Sequence, residues 1–307
     1  MAPSSNLPQL VLMIVLTLTI LGACLAIWTR VVVQFSRGED VIPFRHRRAV
    51  PWNGLDVLIV VLFHIGVLAM GMRILMPPAP QPAGKQAEKP AAAAERNEHD
   101  AVRLWREDPR VATKLVIVFT AAIVAPLVEE FLFRLLLQGW LEAIERRLRR
   151  RLPGLRRTLS GLFPIVTVAA LFAAMHFRSG PSDHDAPVLI RVLIGNALAS
   201  VVTVVMGVAW LWVRAGATLA DLGIEPRRLG GDVALGLAAF VAIGPLVLLL
   251  KILLILRFSP GIADPISLFF FALALGTLYY RTHRIVPAIT LHMALNSVGV
   301  LLLLLGA

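Results

Sequence analysis

"APLVEEFLFRLLLQGW" occupies Ala125–Trp140. Two adjacent glutamates and an arginine stand in a run that is otherwise apolar. A charge at bilayer depth costs about 2.5–3.5 kcal/mol on insertion scales. If this stretch is a membrane span, Glu129, Glu130 and Arg134 need partners or a task. Pro126, just upstream, removes one backbone donor and predicts a kink or an opening in the helix.

The rest of the chain supports a membrane reading. Of 307 residues, 58% are hydrophobic and 16% charged, against about 45–50% and about 25% in soluble domains. The apolar excess falls in long blocks. A span needs about 20 apolar residues. Eight blocks qualify: about Leu10–Trp28, Leu55–Met76, Val111–Trp140, Leu162–Phe177, Val188–Val213, Val233–Ile255, Pro265–Tyr280 and Ile285–Leu305. The expected fold class is all-α, a polytopic membrane protein of about eight transmembrane helices.

The net charge of +11 follows topology. "TRVVVQFSRGEDVIPFRHRRAVPW", "ERRLRRRLPGLRR", "RAGATLADLGIEPRR" and "RTHR" are the basic connections, and with eight spans all four fall on one side. That side is expected to be cytoplasmic. No aromatic-basic platform or zinc-finger spacing appears, so nucleic acid is not an expected partner. Cys24 is the only cysteine, which excludes an intrachain disulfide. "LGAC" before it has a lipoprotein-like flavour. The preceding run lacks lysine and arginine, however, and an uncleaved first span fits better.

Three organisational units follow. Residues 1–76 carry two N-terminal spans around a basic cytoplasmic loop. Residues 77–110, rich in Pro, Ala and mixed charges, read as a flexible loop. Residues 111–307 hold the remaining spans. The segment "EAIERRLRRRL", Glu142–Leu152, reads as a helical extension whose arginines meet lipid phosphates. "SDHDAP", Ser182–Pro187, reads as a polar outer loop.

Polar pairs recur at helical spacing in three spans. Glu130 and Arg134 are four apart and share a helix face. Glu129 points roughly 100° away from Glu130 and needs another partner or a proton. Phe172 and His176 in "FAAMH" are four apart, as are His292 and Asn296 in "HMALN". Each pair has a plain structural reading: an interhelical hydrogen bond, packing glue, or a buried ion pair. Intramembrane ionisable groups face the bundle interior. If the three faces converge, they bring together a base, two imidazoles and an amide donor.

In that order, "EEFLFR", "FAAMH" and "HMALN" fit EExxxR, FxxxH and HxxxN. The chain resembles the CAAX prenyl endopeptidase and bacteriocin-processing (CPBP, Abi) family of intramembrane proteases over roughly 115–303. The resemblance implies peptide-bond hydrolysis by glutamate-activated water, with a membrane-associated or lipid-modified peptide or protein as substrate and the lipid bilayer as partner. It implies Glu129 as general base and His176 as holder or polariser of the water. It implies His292 and Asn296 as donors to the developing oxyanion. Glu130 and Arg134 would hold the geometry, and Phe172 would shape the pocket. No cofactor is expected. Glu129, His176 and His292 could in principle ligate zinc, but HExxH is absent and the resemblance favours a metal-free mechanism. The expected location is the plasma (inner) membrane.

The chain departs from the family pattern in one place. Two spans and "LADLGIEPRRLGGDVALGL", about residues 187–262, separate the histidine motifs and read as an insertion. Two alternatives remain open: a non-catalytic scaffold of the same fold, and a proton-coupled transporter using Glu129 and the histidines. Inverted repeats, the mark of many transporters, are not visible.

Overall fold

The computed structural model describes residues 7–75, 100–151, 161–177, 186–258 and 260–304. "SDHDAP" lies outside them apart from its last two residues, as do residues 77–99 of the expected flexible loop. Among the described residues there are helices and no strands. In chain order these are α1 (Leu7–Ser36), α2 (Gly54–Leu75), α3 (Asp100–Glu107), α4 (Val111–Arg151) and α5 (Leu162–Met175). They are followed by α6 (Ala186–Ala215), α7 (Leu229–Ile255), α8 (Pro260–Thr282) and α9 (Ile285–Leu304). Seven are long and apolar enough to cross a membrane, and the chain is an integral membrane protein. The eighth expected span, α5, is apolar but has only 14 residues, about 21 Å at 1.5 Å per residue. A hydrocarbon core is about 30 Å thick, so α5 is too short to span it alone.

The loop reading of 77–110 meets a short helix at its end. α3 is amphipathic. Leu104 is buried against Ile117 of α4 and Leu189 of α6, with Ala101 and Trp105 beside it. The apolar spacing within "AVRLW" explains the helix, and the charged residues around it hid that spacing.

α4 is not a regular α-helix. Its ladder widens to π-helix at Thr120–Val124 and again at Glu130–Gln138. In the first widened turn the Ala125 amide donates to Thr120 O. The next bond in that register would run from residue 126 to Ala121 O. Proline has no N–H, so Ala121 O lacks its helical donor. The Asn296 carboxamide takes that place from α9, with Nδ2 2.9 Å from Ala121 O. One proline thus accounts for the distortion and for the docking of the last helix. π-turns inside α-helices are frequent at functional sites.

The bundle closes through small residues. A Cβ on Gly207 of α6 would stand 2.6 Å from the Phe131 ring of α4, and one on Gly236 of α7 would stand 2.6 Å from Pro287 O of α9. Such close approaches are how helices associate in lipid. α5 packs on α8, α7 on α9, and α2 on α6, with α1 outermost against α7. There Trp28 Nε1 donates to Ala242 O at 3.0 Å. Leu18, Leu25, Val205, Trp212 and Leu249 are exposed on the outside. Lipid is the solvent suited to such a surface.

At the basic end, residues 37–53 form a strap across the bundle. Arg45 N donates to Arg281 O at 2.9 Å, and Arg281 Nε to Ile42 O at 2.6 Å. Arg48 forks onto Asp221 through Nε and Nη2. Burial pushes the Asp221 carboxyl up, but hydrogen bonds from Arg48 and from the Thr218 amide and hydroxyl overcome it and hold the group at about 2.

Candidate active site

The expected residues meet where α4, α5, α8 and α9 pack. The centre is the His292 imidazole of α9, which is 3% exposed. Its Nδ1 lies 2.8 Å from Glu130 Oε1, and its Nε2 lies 3.6 Å from Glu129 Oε2. Glu129 was expected to need a partner other than Arg134, or a proton; it stands beside His292, and Glu130 reaches the same ring. They diverge around α4, and the imidazole offers them nitrogens on opposite edges.

The two carboxylates are not equivalent. The Glu130 side chain is fully buried and lies 3.4 Å from Arg134 Nε, which is also fully buried. The Glu129 side chain is 25% exposed and makes no hydrogen bond among the described residues. It lies within electrostatic reach of His176 as well as His292. Glu130 is therefore committed to protein contacts, and Glu129 is open to a small molecule.

His176 caps the C-terminal end of α5. Its Nδ1 is 2.7 Å from Phe172 O. A carbonyl only accepts, so Nδ1 carries the proton and the Nε2 lone pair is left to accept. The ring lies against Phe172, with centroids 4.6 Å apart. Phe172 is fully buried and joins the motifs physically. The Arg134 guanidinium sits 5.4 Å above its ring, a cation–π distance, and its edge faces His292 at 5.9 Å.

Asn296 uses one amide hydrogen on Ala121 O and keeps a second. Phe271 of α8 was missed by sequence reading. It packs edge-on to His292 at 5.3 Å and is fully buried. "LFFFAL" gave no sign of which phenylalanine turns inward. Gln138, Glu142 and His283 were missed too. They continue the polar face of α4 toward the basic end, with His283 Nε2 3.1 Å from Glu142 Oε2. Among the described residues no group of three or more His, Cys, Asp or Glu side chains is placed to hold a metal ion.

A polytopic helical bundle that gathers a glutamate pair, an arginine and two histidines in its interior defines a class of intramembrane protein. A model of the family described as type II CAAX prenyl endopeptidase, Rce1-like, matches residues 111–219 and 227–298. The chain belongs to that family. The match runs through α6 and α7, the two helices of the segment that reads as an insertion. Comparison with curated proteins returned no match, and comparison with solved structures returned none.

Proposed function

We propose that the protein is an intramembrane endopeptidase that cleaves a membrane-associated or lipid-modified peptide with water activated by Glu129. The observation that carries this reading is the asymmetry of the glutamate pair: Glu130 is spent on Arg134 and His292, while Glu129 is partly open and makes no hydrogen bond among the described residues. Water attack on an amide needs a positioned base and donors aimed at the developing oxyanion.

The charges balance in this scheme. The scheme uses Glu129 and Glu130 as carboxylates and His292 as a donor through both ring nitrogens, Nδ1 to Glu130 and Nε2 on the side of Glu129. Glu129 and Glu130 then carry two negative charges, and Arg134 and His292 two positive ones. Water lies on Glu129, with a second hydrogen bond into the free Nε2 of His176. As water attacks the carbonyl carbon, Glu129 takes its proton. The carbonyl oxygen becomes the anion that Glu129 no longer is, so the site stays neutral overall. His292 Nε2–H and the spare Asn296 amide hydrogen serve as donors to that oxygen. Glu129 then returns its proton to the departing nitrogen as the C–N bond breaks. The products are a carboxylic acid and an amine, and the acid's proton passes to the amine to leave a carboxylate and an ammonium. Glu130 and Phe271 hold the imidazole, and Arg134 holds Glu130.

The location proposed is the plasma membrane, with the basic connections on the cytoplasmic side. The test uses purified protein in proteoliposomes with a fluorescence-quenched peptide, prenylated at a cysteine three residues from its C-terminus, beside an unmodified membrane-anchored peptide. Cleavage of either that is lost in Glu129→Gln supports the reading. Cleavage of the prenylated peptide alone narrows the substrate. Cleavage of neither, with proton-coupled uptake instead, replaces the protease with a transporter.

A further inference from the structure

The polar face of α4 extends well beyond the catalytic level. Glu130, Arg134, Gln138, Glu142 and Arg146 follow one another at four-residue steps. The first three are fully buried and Glu142 is 3% exposed. Gln138 Nε2 donates to Glu142 Oε1 at 3.1 Å and to Gly276 O at 2.8 Å. Arg146 Nη1 donates to Arg47 O at 2.7 Å. At the upper end Glu130 leads through His292 to Glu129. At the lower end the strip opens on a cavity of about 500 Å³, lined among others by Arg47, Glu142, Arg146 and His283.

Between these ends lie buried polar atoms that no protein group satisfies among the described residues. The three guanidinium nitrogens of Arg134 make no hydrogen bond, although Nε is ion-paired to Glu130. Gln138 Oε1 and Arg146 Nη2 are likewise without a hydrogen-bond partner. Buried polar groups in native proteins find partners in protein or in ordered water. Arg134 presents donors and Gln138 an acceptor four residues on along the same strip, and a bridging water accepts from the one and donates to the other. On α8 the residue facing Gln138 Oε1 is a glycine, Gly276. A Cβ there would stand 3.1 Å from that oxygen, so a larger residue would crowd the strip.

We infer that this strip binds a chain of water molecules running from the basic-end cavity to the Glu129–His292 centre. The hydrolytic reading supplies its purpose: a site about 20 Å along the helix from the Glu142 level consumes one water per bond cleaved and lies among apolar walls. The inference rests on that reading for its purpose and on the unsatisfied atoms for its existence.

Cys24 is the only cysteine, so accessibility can be read from single introduced thiols. In a Cys24→Ser background of the full chain in proteoliposomes, Gln138→Cys and Leu136→Cys are treated with a small charged methanethiosulfonate reagent, which attacks hydrated thiolates. Both positions are fully buried on the same helix and differ in the face they occupy. Gln138→Cys is expected to react several-fold faster. Equal rates overturn the inference and leave Gln138 as packing glue. Should Gln138→Cys fail to fold, microsecond X-ray radiolysis of the unaltered protein decides. Phe172, beneath Arg134, should be oxidised faster than Phe131, which is buried in the apolar cluster of α2, α4 and α6. Equal labelling overturns the inference. Neither readout involves peptide cleavage, so an inactive protein with a hydrated strip is told apart from a dry one.

Discussion

Glu129→Gln and Glu130→Gln remove the same atoms from neighbouring positions, and the structure gives them opposite consequences. Glu129 is a quarter exposed, makes no hydrogen bond among the described residues, and stands 3.6 Å from His292. Its amide isostere fits the same space. The change also takes one carboxylate from the His292 ring, but Glu129 is partly open and holds it at 3.6 Å only, so the loss of fold stability should be clearly smaller than for Glu130→Gln. Its main effect falls on chemistry. A positioned general base contributes about 10²–10⁴-fold. At 1.36 kcal/mol per tenfold, that is about 2.7–5.4 kcal/mol of barrier. Glu130 is fully buried against Arg134. Neutralising it leaves a guanidinium in the bundle without its counter-charge, and removing one partner of a buried pair costs about 3–5 kcal/mol. The carboxamide oxygen introduced by Glu130→Gln can still accept from His292 Nδ1, so the ring keeps its anchor.

The assay pairs two measurements on each variant: turnover of the quenched peptide in proteoliposomes, and thermal unfolding in detergent. Glu129→Gln should melt closer to the parent than Glu130→Gln does and cleave at least about a hundredfold more slowly. Glu130→Gln should melt at clearly lower temperature, and its activity should follow the folded fraction. The reasoning fails if Glu129→Gln retains more than about a tenth of parental turnover, because a base cannot be so dispensable. It fails equally if Glu130→Gln is as stable as the parent yet inactive. In that case the buried carboxylate is the reacting one.

Asn296→Leu removes both the spare donor and the cap on Ala121 O. Turnover number should drop about 10²–10³-fold, as for other oxyanion donors, with KM little changed; a rise in KM alone would contradict a donor role. Gly236→Ala places a methyl 2.6 Å from the Pro287 carbonyl oxygen, backbone that cannot swing aside. Overpacking costs about 1–3 kcal/mol, and an unchanged melting temperature would refute the close α7–α9 crossing. Asp221 is held at about 2 from an ordinary 3.8. A carboxyl with a lowered folded pKa stabilises the fold when ionised. Its contribution is complete above pH 4 or so and is lost as pH falls toward 2. Unfolding followed from pH 5 to 2 should show that loss in the parent and not in Asp221→Asn. Exhaustive chelation should leave cleavage unchanged; loss restored by zinc would assign Glu129, His176 and His292 to a metal.

What could be read in the sequence was whatever repeats at helical spacing inside apolar runs. The i,i+4 pairs Glu130/Arg134 and Phe172/His176 are contacts within one helix, and such contacts follow from helix geometry without knowledge of the fold. The apolar blocks likewise marked the spans, because a bilayer imposes length and composition together. What could not be read was the meeting of α4 with α9. It depends on a distortion that periodicity assumes away. Pro126 was visible as a break, but the replacement of its missing donor by Asn296 needs a π-turn that puts Ala121 O, and not a residue one step on, in need of a partner. The reading of Asn296 as an oxyanion donor thus passed over its first task.

The misses on α4 have a different cause. Gln138 and Glu142 continue the four-residue step of Glu130 and Arg134, so the pattern was present in "EFLFRLLLQGWLEAIER". It was hidden because Glu142 begins a charged segment that resembles a solvated helix end, where glutamate needs no explanation. Burial inverts that reading. Glu142 and Glu145 are 3% and 2% exposed, beside a strap whose charges are mostly basic. Glu145 accepts from the Gly161 amide at 2.9 Å, and Glu142 faces His283. His283 holds a left-handed backbone at φ 51° while its Nδ1 donates to Arg45 O. A non-glycine residue in that region is uncommon and needs surrounding contacts to hold it. The strap, the turn between α8 and α9, and the end of α4 are therefore one assembly, fixed by charges that lie far apart in the chain. Loosening the strap should move the last helix, and with it the imidazole that both glutamates share.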